Sequence, residues 1–183
     1  ASAAKRVVDV TSLYVTPGLI DIHAHVFAGS CAIGEHTGDL SVYPDDFTLR
    51  SGVTTVADAG SSGWRGLPEF YEHVAKRSRT RVYAFLNIVG RGMSGAPEQN
   101  PAEMDPAAAA ECARRYKDFV VGIKTAHYWT SKPWDKEHRP WTSVDRALEA
   151  AERCSKPVMV DFWPRPPERP YADLLLAKLR PGD

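Results

Sequence analysis

Cysteine is scarce: Cys31, Cys112 and Cys154 are odd in number and far apart, with no CxxC pair. That excludes a disulfide framework and a thiolate zinc site, and fits a reducing compartment such as the cytoplasm. Net charge is missing too, since 23 Lys and Arg offset 23 Asp and Glu. The basic footprint of a nucleic-acid binder and the acidic tail of a charged scaffold are therefore both absent. No apolar run approaches the roughly 18 residues of a membrane span. Residues 1–6 lack the charged-then-apolar layout of a signal peptide. Neither low-complexity tracts nor sequence repeats are visible. A small-molecule partner is what these absences leave, with a homo-oligomer still open, and 183 residues suffice for a real core.

What is present is alternation. Short β-branched runs take turns with amphipathic, Ala- and Leu-rich segments, the pattern of successive βα units around a parallel sheet. The spacing predicts strands at residues 15–26, 54–57, 81–89, 119–125 and 158–162. Helices are expected near 45–50, 67–77, 106–117, 143–154 and 171–179, with Asp105 as the N-cap of the third. Gly60-Ser61-Ser62-Gly63 reads as the connection into the second helix, and the third strand, nearly all apolar, as buried on both faces. Five units make an α/β fold and leave open a (β/α)₈ TIM barrel, which takes about 250 residues. Residues 15–183 are thus expected to be the first part of such a barrel. Residues 1–14 are expected to be a remnant of a small β-sandwich domain, with its last strand at 5–10, and linker; both ends read as cuts through a larger protein.

The residues that carry chemistry sit at the ends of these strands. His23 and His25 are two apart, so on a strand they share a face and can close on one metal ion. The C-terminal strand ends are where barrel enzymes hold their chemistry. Lys124 ends the fourth strand; burial there pushes an amine toward its neutral form, which can take up carbon dioxide as a carbamate with two ligand oxygens. Asp161 ends the fifth strand, and a carboxylate also binds zinc, manganese or iron. Asn87 and Asp58 stand at strand ends as well, Asp58 reading better as a turn or capping residue. His127 could wall a substrate pocket, and Arg91 could hold a carboxylate. Trp129, Trp134, Trp141 and Trp163 read as aromatic cover over a barrel rim.

The string Pro17-Gly18-Leu19-Ile20-Asp21-Ile22-His23-Ala24-His25 closely resembles the first-strand signature of the amidohydrolase superfamily. Residues 51–60 and 85–90 resemble the second and third strands of its deacetylase-like, dihydroorotase-related branch. The resemblance implies a (β/α)₈ barrel beside a small β-sandwich. It implies hydrolysis of a carbon–nitrogen bond, in a cyclic amide or N-acyl amino acid, or of an acyl ester, by a metal-activated hydroxide. Two Zn2+ per full-length subunit would be held by His23, His25, a carboxylated Lys124 and Asp161. The substrate would meet His127, Arg91 and Asn87. The family's acid–base aspartate, at the eighth strand, and a sixth-strand histidine ligand are expected beyond Asp183, leaving these residues alone inactive. Asp161 departs from the pattern, because the family usually carries a histidine there. A mononuclear deaminase-like enzyme with unmodified Lys124, or a non-catalytic barrel scaffold, are the alternatives.

Overall fold

The computed structural model describes residues 3–27, 41–126, 133–161 and 168–183. Within them the chain forms one parallel sheet of five strands in the order β1-β2-β3-β4-β5, curled into half a TIM barrel. The strands are β1 (Leu19–Ala24), β2 (Val53–Gly63), β3 (Arg81–Asn87), β4 (Val120–Ala126) and β5 (Val158–Asp161). Between successive strands come α1 (Pro44–Phe47), α2 (Leu67–Phe70, continued by a π-helical turn Tyr71–Ala75), α3 (Pro106–Arg115) and α4 (Thr142–Cys154). After β5 comes α5 (Tyr171–Asp173), extended by a second π turn, Leu174–Lys178.

Local chemistry accounts for the best-formed helices. In α3 the Asp105 side chain accepts from the backbone N–H groups of Ala107 and Ala108 at 2.9 and 3.0 Å, Pro106 fixes the first turn, and Arg114 and Arg115 face the negative end of the helix dipole. Its apolar stripe is made of alanines: Ala109, Ala110 and Ala113 are buried, so α3 packs close to the sheet and to α4, which buries Ala147, Ala150 and Ala151. The core lies between these helices and the strands, with Val56, Leu86, Ile88, Val120 and Ile123 excluded from solvent. Phe27 stacks on Phe70 at 4.8 Å between ring centres, and Phe70 meets Phe119 edge-on, sealing β1 and α2 against β4.

Four expectations are corrected. The second strand does not stop before the Gly60-Ser61-Ser62-Gly63 run but includes it. Gly63 still pairs with Asn87 after an irregularity beginning at Ala59, where Gly60 takes φ +86°. A bulge inside a strand uses the same glycines as a turn, which is why the sequence reads as a connection. The third strand is not evenly buried on both faces: Val82, Ala84 and Leu86 point into the core, while on the inner face Tyr83 and Phe85 are half-buried and only Asn87, at the strand end, is buried. Residues 5–10 carry no strand and lie exposed. The first strand is also shorter than its apolar pattern, and its Leu19, Ile20 and Ile22 are more than half exposed.

Candidate active site

The parallel register sets the site. Ala24 lies opposite Asp58, Gly63 opposite Asn87, Asn87 opposite Lys124, and Ala126 opposite Asp161, so the C-terminal ends of all five strands meet along one rim. The rings of His23, on β1, and His25, just past its end, lie 5.7 Å apart, edge to face. The His23 Nε2 stands 3.8 Å from the Asp161 carboxylate, and the same oxygen is 3.6 Å from the Lys124 Nζ. His25, Lys124, Asp161, Asn87 and Glu98 line one small cavity of about 20 Å3, room for about one water-sized occupant. The structure thus brings together the four residues expected as ligands.

Lys124 is the unusual member. Its side chain is only 2% exposed, and its Nζ makes no hydrogen bond among the described residues. Burial pushes its pKa down, opposed chiefly by the Asp161 carboxylate. An orphaned buried amine beside imidazoles and carboxylates is a donor set that a divalent cation would satisfy. Three His, Cys, Asp or Glu side chains do not by themselves converge at metal-binding spacing among the described residues, so Lys124 would have to serve as a ligand. The alkyl stem of Lys124 passes against Gly60, where an added Cβ would come within 2.7 Å of Cγ.

Asp58, read from the sequence as a turn or capping residue, is a tether. Fully buried on β2, it accepts from the Val26 N–H at 2.7 Å through one oxygen and from the Ser61 N–H at 2.7 Å through the other. Burial raises its pKa to about 6 in spite of these bonds. Ser61, itself buried, meets the His25 Nδ1 at 2.9 Å. Asn87 spends its side chain on the backbone, donating to the Gly60 carbonyl at 3.0 Å and accepting from the Val89 N–H at 3.0 Å. It shapes the cavity wall next to Lys124. Arg91 is exposed after β3 and does not line the cavity, and His127 lies outside the described residues, as do Trp129 and Trp163. Trp134 packs against the core and under Arg169, and Trp141 under Lys178.

Sequence reasoning missed Glu98 and Ser61. Glu98 arrives in the cavity from a 3₁₀ turn (Ala96–Gln99) whose start it braces by accepting from the Gly95 N–H at 3.1 Å. No local motif announces it. Ser61 was hidden by the reading of its segment as a turn.

A half-barrel whose strand ends gather two imidazoles, a buried amine and a carboxylate has the architecture of a barrel enzyme, with its chemistry at the C-terminal rim. No family model matches the chain. A deacetylase of Agrobacterium fabrum is 29% identical over 188 residues, covering 100% of this chain and 42% of the relative. A deacetylase of Brucella anthropi is 30% identical over 181 residues, covering 96% of this chain and 41% of the relative. Among solved structures, a dihydroorotase superposes with a TM-score of 0.73 at 29% identity over 91% of this chain and 44% of its own. An adenine deaminase does so with a TM-score of 0.69 at 28% identity, over 84% and 39%. The chain belongs to the amidohydrolase superfamily. It spans about two-fifths of the length of the curated relatives it matches.

Proposed function

We propose that this chain is part of a metal-dependent amidohydrolase that cleaves the carbon–nitrogen bond of a cyclic amide or an N-acyl amino acid, or an acyl ester. Its ligands here are His23, His25, Lys124 and Asp161. The observation that carries this reading is Lys124: a buried amine without a hydrogen bond among the described residues, 3.6 Å from a carboxylate that also faces His23. The names of the relatives, deacetylases above all, support the class of bond. Divalent ions, two zinc ions per full-length subunit, would polarise the scissile carbonyl and bring the pKa of a water near 7.

The chain's own residues then divide the work. His23, on β1, and His25, just past its end, would offer imidazole nitrogens, and Asp161 a hard oxygen. A carboxylated Lys124, formed when the neutral amine adds to carbon dioxide and gives up a proton, would place a pair of acceptor oxygens in the cavity. Asn87 holds the Gly60 backbone against the Lys124 stem, and Glu98 closes the cavity with negative charge. Arg91, exposed after β3, is proposed to receive the acid group of the substrate, and His127 to wall its pocket.

A mononuclear, deaminase-like site is the second reading. Asp161 in place of the family's histidine and the small cavity favour it, and Lys124 would then remain an amine paired to Asp161. Metal analysis of the full-length protein, with intact mass of the native protein and hydrolysis of N-acetyl amino acids, tests both. Close to two ions per chain, a mass increment of one carbon dioxide and chelator-sensitive hydrolysis support the first reading. One ion and no increment support the second, and no metal with no hydrolysis rejects both.

A further inference from the structure

We propose that Ser61 is a positioning residue for His25: its hydroxyl accepts from the Nδ1–H and leaves Nε2 as the nitrogen offered to the cavity. The geometry is unusually constrained. His25 lies just past the end of β1, where strand pairing no longer fixes its backbone, yet the next residue, Val26, donates its N–H to Asp58 at 2.7 Å. Ser61 lies beyond the Gly60 irregularity of β2, and its own N–H donates to the other oxygen of the same carboxylate at 2.7 Å. One buried Asp58 therefore clamps both partners of the 2.9 Å contact between His25 and Ser61. A serine hydroxyl carries one hydrogen and two oxygen lone pairs, so it can accept from the ring nitrogen while its own hydrogen points elsewhere.

The consequence is a choice of tautomer. A neutral histidine free in water favours the proton on Nε2, which would block that nitrogen as a ligand. An acceptor fixed at Nδ1 draws the proton there and frees Nε2, as an outer carboxylate or carbonyl does for metal-bound histidines elsewhere. Here the acceptor is a hydroxyl whose own backbone N–H is held by a buried carboxylate.

This rests on His25 as a ligand, and the experiment separates the two ideas. Full-length protein, wild type and Ser61→Ala, is prepared metal-free with ¹⁵N-labelled histidine, and the ring tautomer of His25 is read by ¹H–¹⁵N long-range correlation at a pH where the ring is neutral. The wild type is expected in the Nδ1–H form and Ser61→Ala in the Nε2–H form. Zinc affinity is then measured by competition with a chromogenic chelator. Ser61→Ala is expected to bind about 10–100-fold more weakly, and Ser61→Thr, which keeps the hydroxyl, within a few-fold of wild type. Thermal denaturation of each variant guards against a folding defect, and Thr against a packing one. An Nε2–H tautomer in the wild type, or unchanged zinc affinity in Ser61→Ala, overturns the proposal. A wild type that binds no zinc yet shows the Nδ1–H form removes the metal reading while leaving the Ser61 contact intact.

Discussion

Lys124 holds its amine in a place that folding alone does not favour. The side chain is 2% exposed, its Nζ lacks a hydrogen bond among the described residues, and its counter-charge at 3.6 Å belongs to a carboxylate that is itself 40% exposed. Removing such a cation leaves Asp161 able to turn to water, so the usual penalty for breaking a buried pair is relieved. Lys124→Met in the metal-free full-length protein is therefore expected to be more stable by about 1 kcal/mol, while its metal content falls by half or more. Urea denaturation and elemental analysis check the two halves, and a loss of stability with metal retained would show that Lys124 is a structural residue. Cys112 behaves in the opposite sense to a reactive thiol, with burial lifting its pKa to about 11. Iodoacetamide at about pH 8 should modify it at least tenfold more slowly than an unperturbed thiol of pKa near 8.5, as peptide mapping will show. At this scale much of the site was legible in the sequence. The i, i+2 spacing of His23 and His25 and the strand-end places of Lys124 and Asp161 are properties of a pattern. Ser61 and Glu98 were not, since what makes them matter is a neighbour on another strand.

The element that organises the site is β2, eleven residues long and irregular after Ala59. Gly60 makes the irregularity possible. Its φ of +86° costs any other residue about 1–2 kcal/mol, and a Cβ there would come within 2.7 Å of Lys124 Cγ and 3.4 Å of Asn87 Nδ2. Gly60→Ala is expected to lower stability by about 2 kcal/mol and to reduce metal uptake by displacing Lys124; unchanged melting and metal content would mean that the strand end adapts. Asp58, on the same strand, makes folding pH-dependent. Its folded pKa of about 6 lies above its ordinary 3.8, so between those values the folded chain keeps a proton that the unfolded chain has lost. This contribution is fully present below the lower value and is lost as pH rises through the upper one. The loss is on the order of 3 kcal/mol for a shift of this size. Denaturation of the metal-free protein between about pH 4 and pH 7 should show that slope, and Asp58→Asn should lack it. The sequence made the second strand too short because Gly and Ser carry one signal for two structures. Only the partner strand, with Asn87 opposite Gly63, tells a bulge from a turn.

Over the whole molecule the sheet runs in chain order, so every strand neighbours the one made before it and the topology follows from alternation and the right-handed crossover. That is why five units and their sequence of helices could be read in advance, while the exposure of their inner faces could not: alternation fixes the order of units, and closure depends on surfaces supplied by other parts of a barrel. The two outer strands leave their far edges unpaired among the described residues. Along β1, Leu19, Ile20 and Ile22 are 57%, 65% and 63% exposed, and at the other end Leu175 and Leu176 are 64% and 87% exposed. Apolar edges of this kind pair with whatever strand is offered, which in a solution of the 183-residue chain is another copy. The isolated chain is thus expected to run as dimers or larger species in light scattering coupled to size exclusion. Changing Ile20 and Ile22 to Lys should shift it toward monomer, since edge lysines oppose strand addition without touching the buried cluster. A monomer at micromolar concentration, with the wild-type edge, would mean that the exposed residues 3–18 fold back over β1 in solution and do the covering themselves.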